Sequence, residues 1–199
     1  MLAFSLLAVT FAAVASALPA AKRALGPWCD NLGGGAFDNV ANFTVAAYNT
    51  TGTNTNTTGA PLVLGQAGAI DGASFKVFST FATFPYNQYP FIELVDGRLI
   101  PSGPGTSPTA INGVTAGSEV TFVASNSVDP TKSAQIWCAV ADTDPAGHGT
   151  GHPYLALHGD TDSFSLCQYL SQNNVVYKAA AGNGYDFDTC YPVKLQLIY

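Results

Sequence analysis

The chain has 199 residues, of which 47% are hydrophobic and only 10% charged. That charged fraction, well under the roughly 25% usual for soluble domains, excludes a coiled coil, and the high hydrophobic content excludes a chain disordered throughout. With 7 basic against 13 acidic residues the net charge is −6, which argues against a nucleic-acid partner, because phosphate binding draws on Lys and Arg.

Residues 2 to 18 carry no charge, and the run from Leu2 to Val14 is apolar apart from Ser5 and Thr10. It ends in Ala15-Ser16-Ala17, the A-x-A pattern of a secretory signal peptide over residues 1–17. The run is too short to span a membrane comfortably, and no second run of spanning length follows, so the mature protein is expected to be secreted, extracellular or in the cell wall, with no membrane contact. Residues 18–23 read as a short pro-segment ending in the dibasic Lys22-Arg23. Cleavage there leaves Ala24 to Tyr199 as a single all-β domain with five basic and thirteen acidic residues, a net charge of −8.

The sequons at Asn42, Asn49 and Asn56 fall in one short stretch, which in an exported chain marks them as expected N-glycosylation sites. Residues 49–58 have no apolar side chain to bury and read as an exposed, glycosylated loop. Beyond them the apolar segments are short, β-branched or aromatic, and bounded by Gly, Pro, Asn or Asp, which is the strand signature. Strands are predicted at 43–48, 61–66, 75–80, 91–95, 98–101, 119–125, 135–141, 154–158, 163–168, 174–179 and 193–199. Asp96-Gly97 predicts a tight hairpin turn, and His158-Gly159-Asp160 repeats the idea. The two Pro-led hairpins, at 90–97 and 153–160, lie 63 residues apart, close to a third of the mature chain. That spacing narrowly favours a β-trefoil-like barrel over a Greek-key β-sandwich, which explains the strand count equally well.

The aromatic run from Phe81 to Phe91 is stiffened by Pro85 and Pro90. Its polar centre, Tyr86-Asn87-Gln88-Tyr89, is the expected ligand-binding tip, with Tyr86 and Tyr89 stacking on sugar rings. The competing reading puts these rings in the core. Trp28 and Trp137, each beside a cysteine, are expected to pack on disulfides rather than on ligand. The four cysteines, an even count in an exported chain, predict two disulfides. Cys29 and Cys190 lie near the two chain ends, which are often close in compact domains, and Cys138 and Cys167 flank one hairpin region. The expected pairs are therefore Cys29–Cys190 and Cys138–Cys167.

All three histidines, His148, His152 and His158, fall within eleven residues. The H-x3-H spacing puts two rings on one face only in a helix, which Gly147, Gly149 and Gly151 forbid, so a solvated loop is expected in place of a metal site. Asp-x-Asp occurs at Asp142/Asp144, Asp160/Asp162 and Asp186/Asp188 without a complete calcium loop, which points to turn-forming aspartates. No G-x-S-x-G elbow exists, and Glu93 and Glu119 are the only glutamates. No catalytic residue, metal or cofactor is expected.

The stretch from Tyr154-Leu-Ala-Leu-His-Gly to Ser165-Leu-Cys167, then Val175-Val-Tyr177 and Cys190-Tyr-Pro-Val193, resembles the C-terminal domain of fungal cell-wall mannoproteins of the PIR-like group. The opening Phe43-Thr-Val-Ala-Ala and the Asp96-Gly97-Arg-Leu turn resemble its early part; the remainder looks like small secreted proteins of mushroom-forming fungi. The resemblance implies a structural or carbohydrate-binding role at the wall. The Gln-rich repeats thought to attach those proteins to glucan are absent and the cysteine spacings differ, so covalent anchoring does not carry over. The rival readings are a secreted effector or immunomodulatory protein with a protein partner, and an Asp-dependent hydrolase.

Overall fold

Along most strands, side chains of odd and even number point to opposite faces, and one face of each builds a shared core. The computed structural model describes residues 24–143 and 149–199; the expected signal peptide, the pro-segment, Asp144 and His148 lie outside the described residues. The strands are β1 (Ala36–Phe37), β2 (Asn39–Asn49), β3 (Ala60–Ile70), β4 (Ala73–Thr80), β5 (Phe91–Val95) and β6 (Arg98–Ser102). Then come the short β7 (Thr109–Ala110), β8 (Ser118–Glu119) and β9 (Thr121–Ala124), followed by β10 (Trp137–Val140) and β11 (Tyr154–Leu157). The last three are β12 (Phe164–Tyr169), β13 (Gln172–Tyr177) and β14 (Asp186–Ile198). Helix among the described residues is confined to three-residue 3-10 turns.

The strands pair antiparallel in the order β1-β10-β11-β14-β12-β13-β4-β3-β2-β5-β6, and β14 also pairs with β2, so part of the path returns on itself. The returning path is unevenly joined: β13 meets β4 only at Asn174↔Ser79, and β2 meets β3 only at Ala46↔Pro61 and Ala47↔Ala60. The all-β class stands. The preferred trefoil-like barrel is not clearly formed, and a compact β-sandwich-like fold is consistent with the pairing. A trefoil needs three equivalent hairpins around the ring in chain order, whereas here the chain leaves the ring after β4 and re-enters it at β12. The two similar hairpin turns explain the misleading repeat. Asp96 and Gly97 have φ of +50° and +76°, and His158 and Gly159 have +52° and +74°, so the turns are locally alike. They open into different partners: β5 pairs with β6, while β11 pairs with β10.

The main core gathers Phe43 and Val45 of β2, Leu62 and Leu64 of β3, Phe78 of β4, Phe122 of β9, and Leu195 and Leu197 of β14. Trp137 lies inside this core, stacked on Phe164 with ring centroids 6.2 Å apart, and does not cover a disulfide as expected. Alternation explains why: Trp137 and Ala139 face the core, so Cys138 between them faces outward. There it meets Cys29, at the end of a 3-10 turn, and Trp28 packs against the pair.

The disulfides are Cys29–Cys138 and Cys167–Cys190, which corrects both expected pairs, Cys29–Cys190 and Cys138–Cys167. Cys138 on β10 and Cys167 on β12 are separated in the sheet by β11 and β14, so no bridge can join them. Cys167 and Cys190 lie on the adjacent strands β12 and β14 with Cα atoms 4.1 Å apart.

Candidate functional site

Two side chains on the core-facing side of β4, Ser74 and Lys76, reach past the end of the core into an open cleft of about 540 Å³. The opposite wall is built from two loops. One is Asn87 to Pro90, the end of the aromatic run; the other is Pro104 to Ser107. The loops are held together at Gly103, where a Cβ would lie 2.1 Å from the Gln88 carbonyl oxygen, so only glycine permits this approach. Thr106 closes its own turn by donating from both its backbone N–H and its hydroxyl to the Gly103 carbonyl, at 3.3 and 2.8 Å.

The cleft offers the amides of Asn87 and Gln88 and the hydroxyls of Ser74, Thr106 and Ser107, a set that both donates and accepts hydrogen bonds. Among the described residues no carboxylate lines it. Lys76 is 5% exposed; its neighbours across the sheet are Gln66 on β3 and Phe122 on β9. Its ammonium donates to Gln66 Oε1 at 3.3 Å, and burial lowers its pKa from the ordinary lysine value.

Tyr86 and Tyr89, the expected stacking pair, do not form one platform. Tyr86 is 64% exposed, with its ring edge-on to Phe84 at 5.2 Å. Tyr89 is 7% exposed and belongs to the main core, with its edge on the cleft wall; burial raises its pKa. The segment is not extended throughout: Tyr86 N–H donates to the Phe84 carbonyl at 2.8 Å in a tight turn around Pro85, and three residues on, Tyr89 points to the inner side. Asn87 also borders a second, smaller hollow of about 270 Å³, whose apolar wall includes Phe81, Pro61 and Ile198.

Lys76 was not singled out from the sequence. In Phe75-Lys76-Val77-Phe78 it reads as an ordinary polar interruption of a strand. The usable signal was its parity, since it shares a face with the buried Phe78. Ser74, Thr106 and Ser107 carried no signal of their own, being among many hydroxyl residues in turns.

The sequon residues lie elsewhere. Asn42 is exposed, with φ of +55° at a bulge in β2. Asn56 is exposed and Asn49 half-buried. These two share a conformation: Asn49 Oδ1 accepts from Thr51 N at 2.9 Å, and Asn56 Oδ1 accepts from Thr58 N at 3.0 Å and from its hydroxyl at 2.9 Å. Each Asn thus bonds the Thr that completes its own sequon.

The aspartates make turns. Asp160 Oδ1 accepts from the N–H groups of Asp162 and Ser163, and Asp186 Oδ1 accepts from that of Asp188. Asp142 Oδ2 accepts from Gly151 N at 2.9 Å. Among the described residues no group of three or more His, Cys, Asp and Glu side chains is placed to hold a metal ion. No helix of the described residues is long and apolar enough to cross a membrane.

No family model, curated protein or solved structure matches this chain.

Proposed function

We propose that this protein is a secreted, N-glycosylated β-protein that acts in or at the fungal cell wall by holding carbohydrate, without a cofactor. The observation that carries the reading is the cleft between β4 and the 87–90 loop, whose amides and hydroxyls suit a ligand rich in hydroxyl groups. Beside it, Tyr86 offers a flat, exposed ring with a polar tip, the side-chain type that stacks on sugars. An open cleft accepts a segment within a long chain, as an insoluble polysaccharide requires. The two disulfides suit the oxidising conditions outside the cell, and the 154–167 stretch with its PIR-like pattern points to the wall.

Sedimentation with insoluble β-glucan, chitin and whole fungal walls tests the reading. The wild type is retained on at least one of them, and Tyr86→Ala together with Asn87→Ala releases it at unchanged melting temperature. A wild type found wholly in the supernatant with all three overturns the proposal.

A further inference from the structure

Lys76 stands out among the charged groups. The chain carries nearly twice as many acidic as basic residues, yet among the described residues the cleft is lined by one ammonium and no carboxylate. The ammonium is also placed against the usual rule for lysine. It projects from the core-facing side of β4, at a position 5% exposed, where a charge is costly unless it is paired. Among the described residues no carboxylate pairs with it; the neutral Gln66 Oε1 is its hydrogen-bond acceptor, and an ammonium has three protons to donate. Phe122, its neighbour on the other side, has a side chain with no oxygen or nitrogen to accept a hydrogen bond. An anion entering the cleft would meet a desolvated positive charge, with the hydroxyls and amides of the walls ready to bond the rest of the molecule.

We infer that the cleft selects a sugar chain bearing an anionic substituent, a carboxylate or a phosphate ester, whose charge is seated on Lys76. This rests on the carbohydrate-binding reading and names the class of sugar. The carboxylate and phosphate sources present the same chemistry to the ammonium: oxygen acceptors carrying negative charge. The loops supply neutral polar groups alone, so the charge of the ligand is read by Lys76, while Asn87 and Gln88 serve hydroxyl groups of any sugar.

Titration calorimetry with the full, disulfide-intact protein separates the cases. The probes are neutral β-glucan oligomers, uronic-acid oligomers of equal length, a phosphorylated mannose oligomer, and inorganic phosphate alone. One or both acidic oligomers are expected to bind about tenfold more tightly than the neutral ones, the usual gain from a hydrogen bond to a charged group. Lys76→Met, close in length and uncharged, removes that preference, so that acidic and neutral oligomers bind the variant alike. The wild-type comparison stands even if the variant folds poorly. Equal binding of neutral and acidic oligomers overturns the inference and leaves the carbohydrate reading intact. Binding of inorganic phosphate with no sugar bound overturns both.

Discussion

Replacing Tyr86 and Tyr89 one at a time separates the surface of the aromatic segment from its core. Tyr89 is 7% exposed and packed in the main hydrophobic cluster, whereas Tyr86 is 64% exposed and touches Phe84 edge-on. Truncating a buried aromatic ring to Ala costs about 3–5 kcal/mol through lost transfer energy and the cavity left behind. Tyr89 borders an open cleft, so its neighbours can relax and the low end applies, about 3 kcal/mol. For a chain of this size each kcal/mol moves the melting temperature by about 2–4 °C, so Tyr89→Ala is expected to lower it by about 6–12 °C. Tyr86→Ala removes little buried area and is expected to leave the melting temperature within about 2 °C of the wild type, since surface substitutions stay within about 0.5 kcal/mol. Differential scanning calorimetry, checked by urea denaturation with unchanged slope, reads both. Equal losses for the two variants would refute the argument, because the tyrosines would then share one environment. So would a loss confined to Tyr86→Ala.

Gln196 is fully buried, and among the described residues neither its Oε1 nor its Nε2 has a hydrogen-bond partner. Gln196→Met should therefore raise stability by about 1–3 kcal/mol in urea denaturation, and a fall in stability would show that the amide is engaged. At Asp160 burial alone would raise the carboxyl, but hydrogen bonds from Ser163, Asp162 and the Tyr177 hydroxyl outweigh it and hold the pKa below 3.8. The stability this contributes is present above the unfolded value of about 4 and is lost as pH falls through the folded value. Asp160→Asn should accordingly be less stable than the wild type at pH 6, with the gap narrowing by pH 2. In the chain-entropy account, bridges of 109 and 23 residues' separation stabilise by about 4.8 and 3.4 kcal/mol. Paired Cys→Ala variants should follow that order in melting temperature, and peptide mapping without reduction should link Cys29 to Cys138.

The strands were legible because nearly every one carries its own pattern. Phe91–Val95 was read to the residue, since Pro90 and Asp96-Gly97 mark its ends. The first half of β14, Asp186 to Pro192, was missed because two aspartates and a proline argue against a strand; these residues are held by pairing with β12, which is visible only in three dimensions. Pairing order was illegible for the same reason. Nothing local in Tyr154–Leu157 says that its far neighbour is the C-terminal strand, and the disulfide connectivity follows from that order. Of the candidate site, the 86–89 segment stood out in the sequence, but the parity that buries Tyr89 and the lysine facing it across the cleft depend on which strand packs beneath.

The connectivity of the two bridges also bears on how the native state is reached. Their spans, 29–138 and 167–190, neither nest nor interlace along the chain. A polypeptide emerging N-terminus first shows its thiols in the order 29, 138, 167, 190, and joining each as-yet unpaired thiol to the next one to arrive gives the native set. A nested arrangement would oblige the first thiol to wait, unreacted, until the fourth appeared, while the second and third offered it wrong partners. The native set is thus the one that pairing in chain order yields.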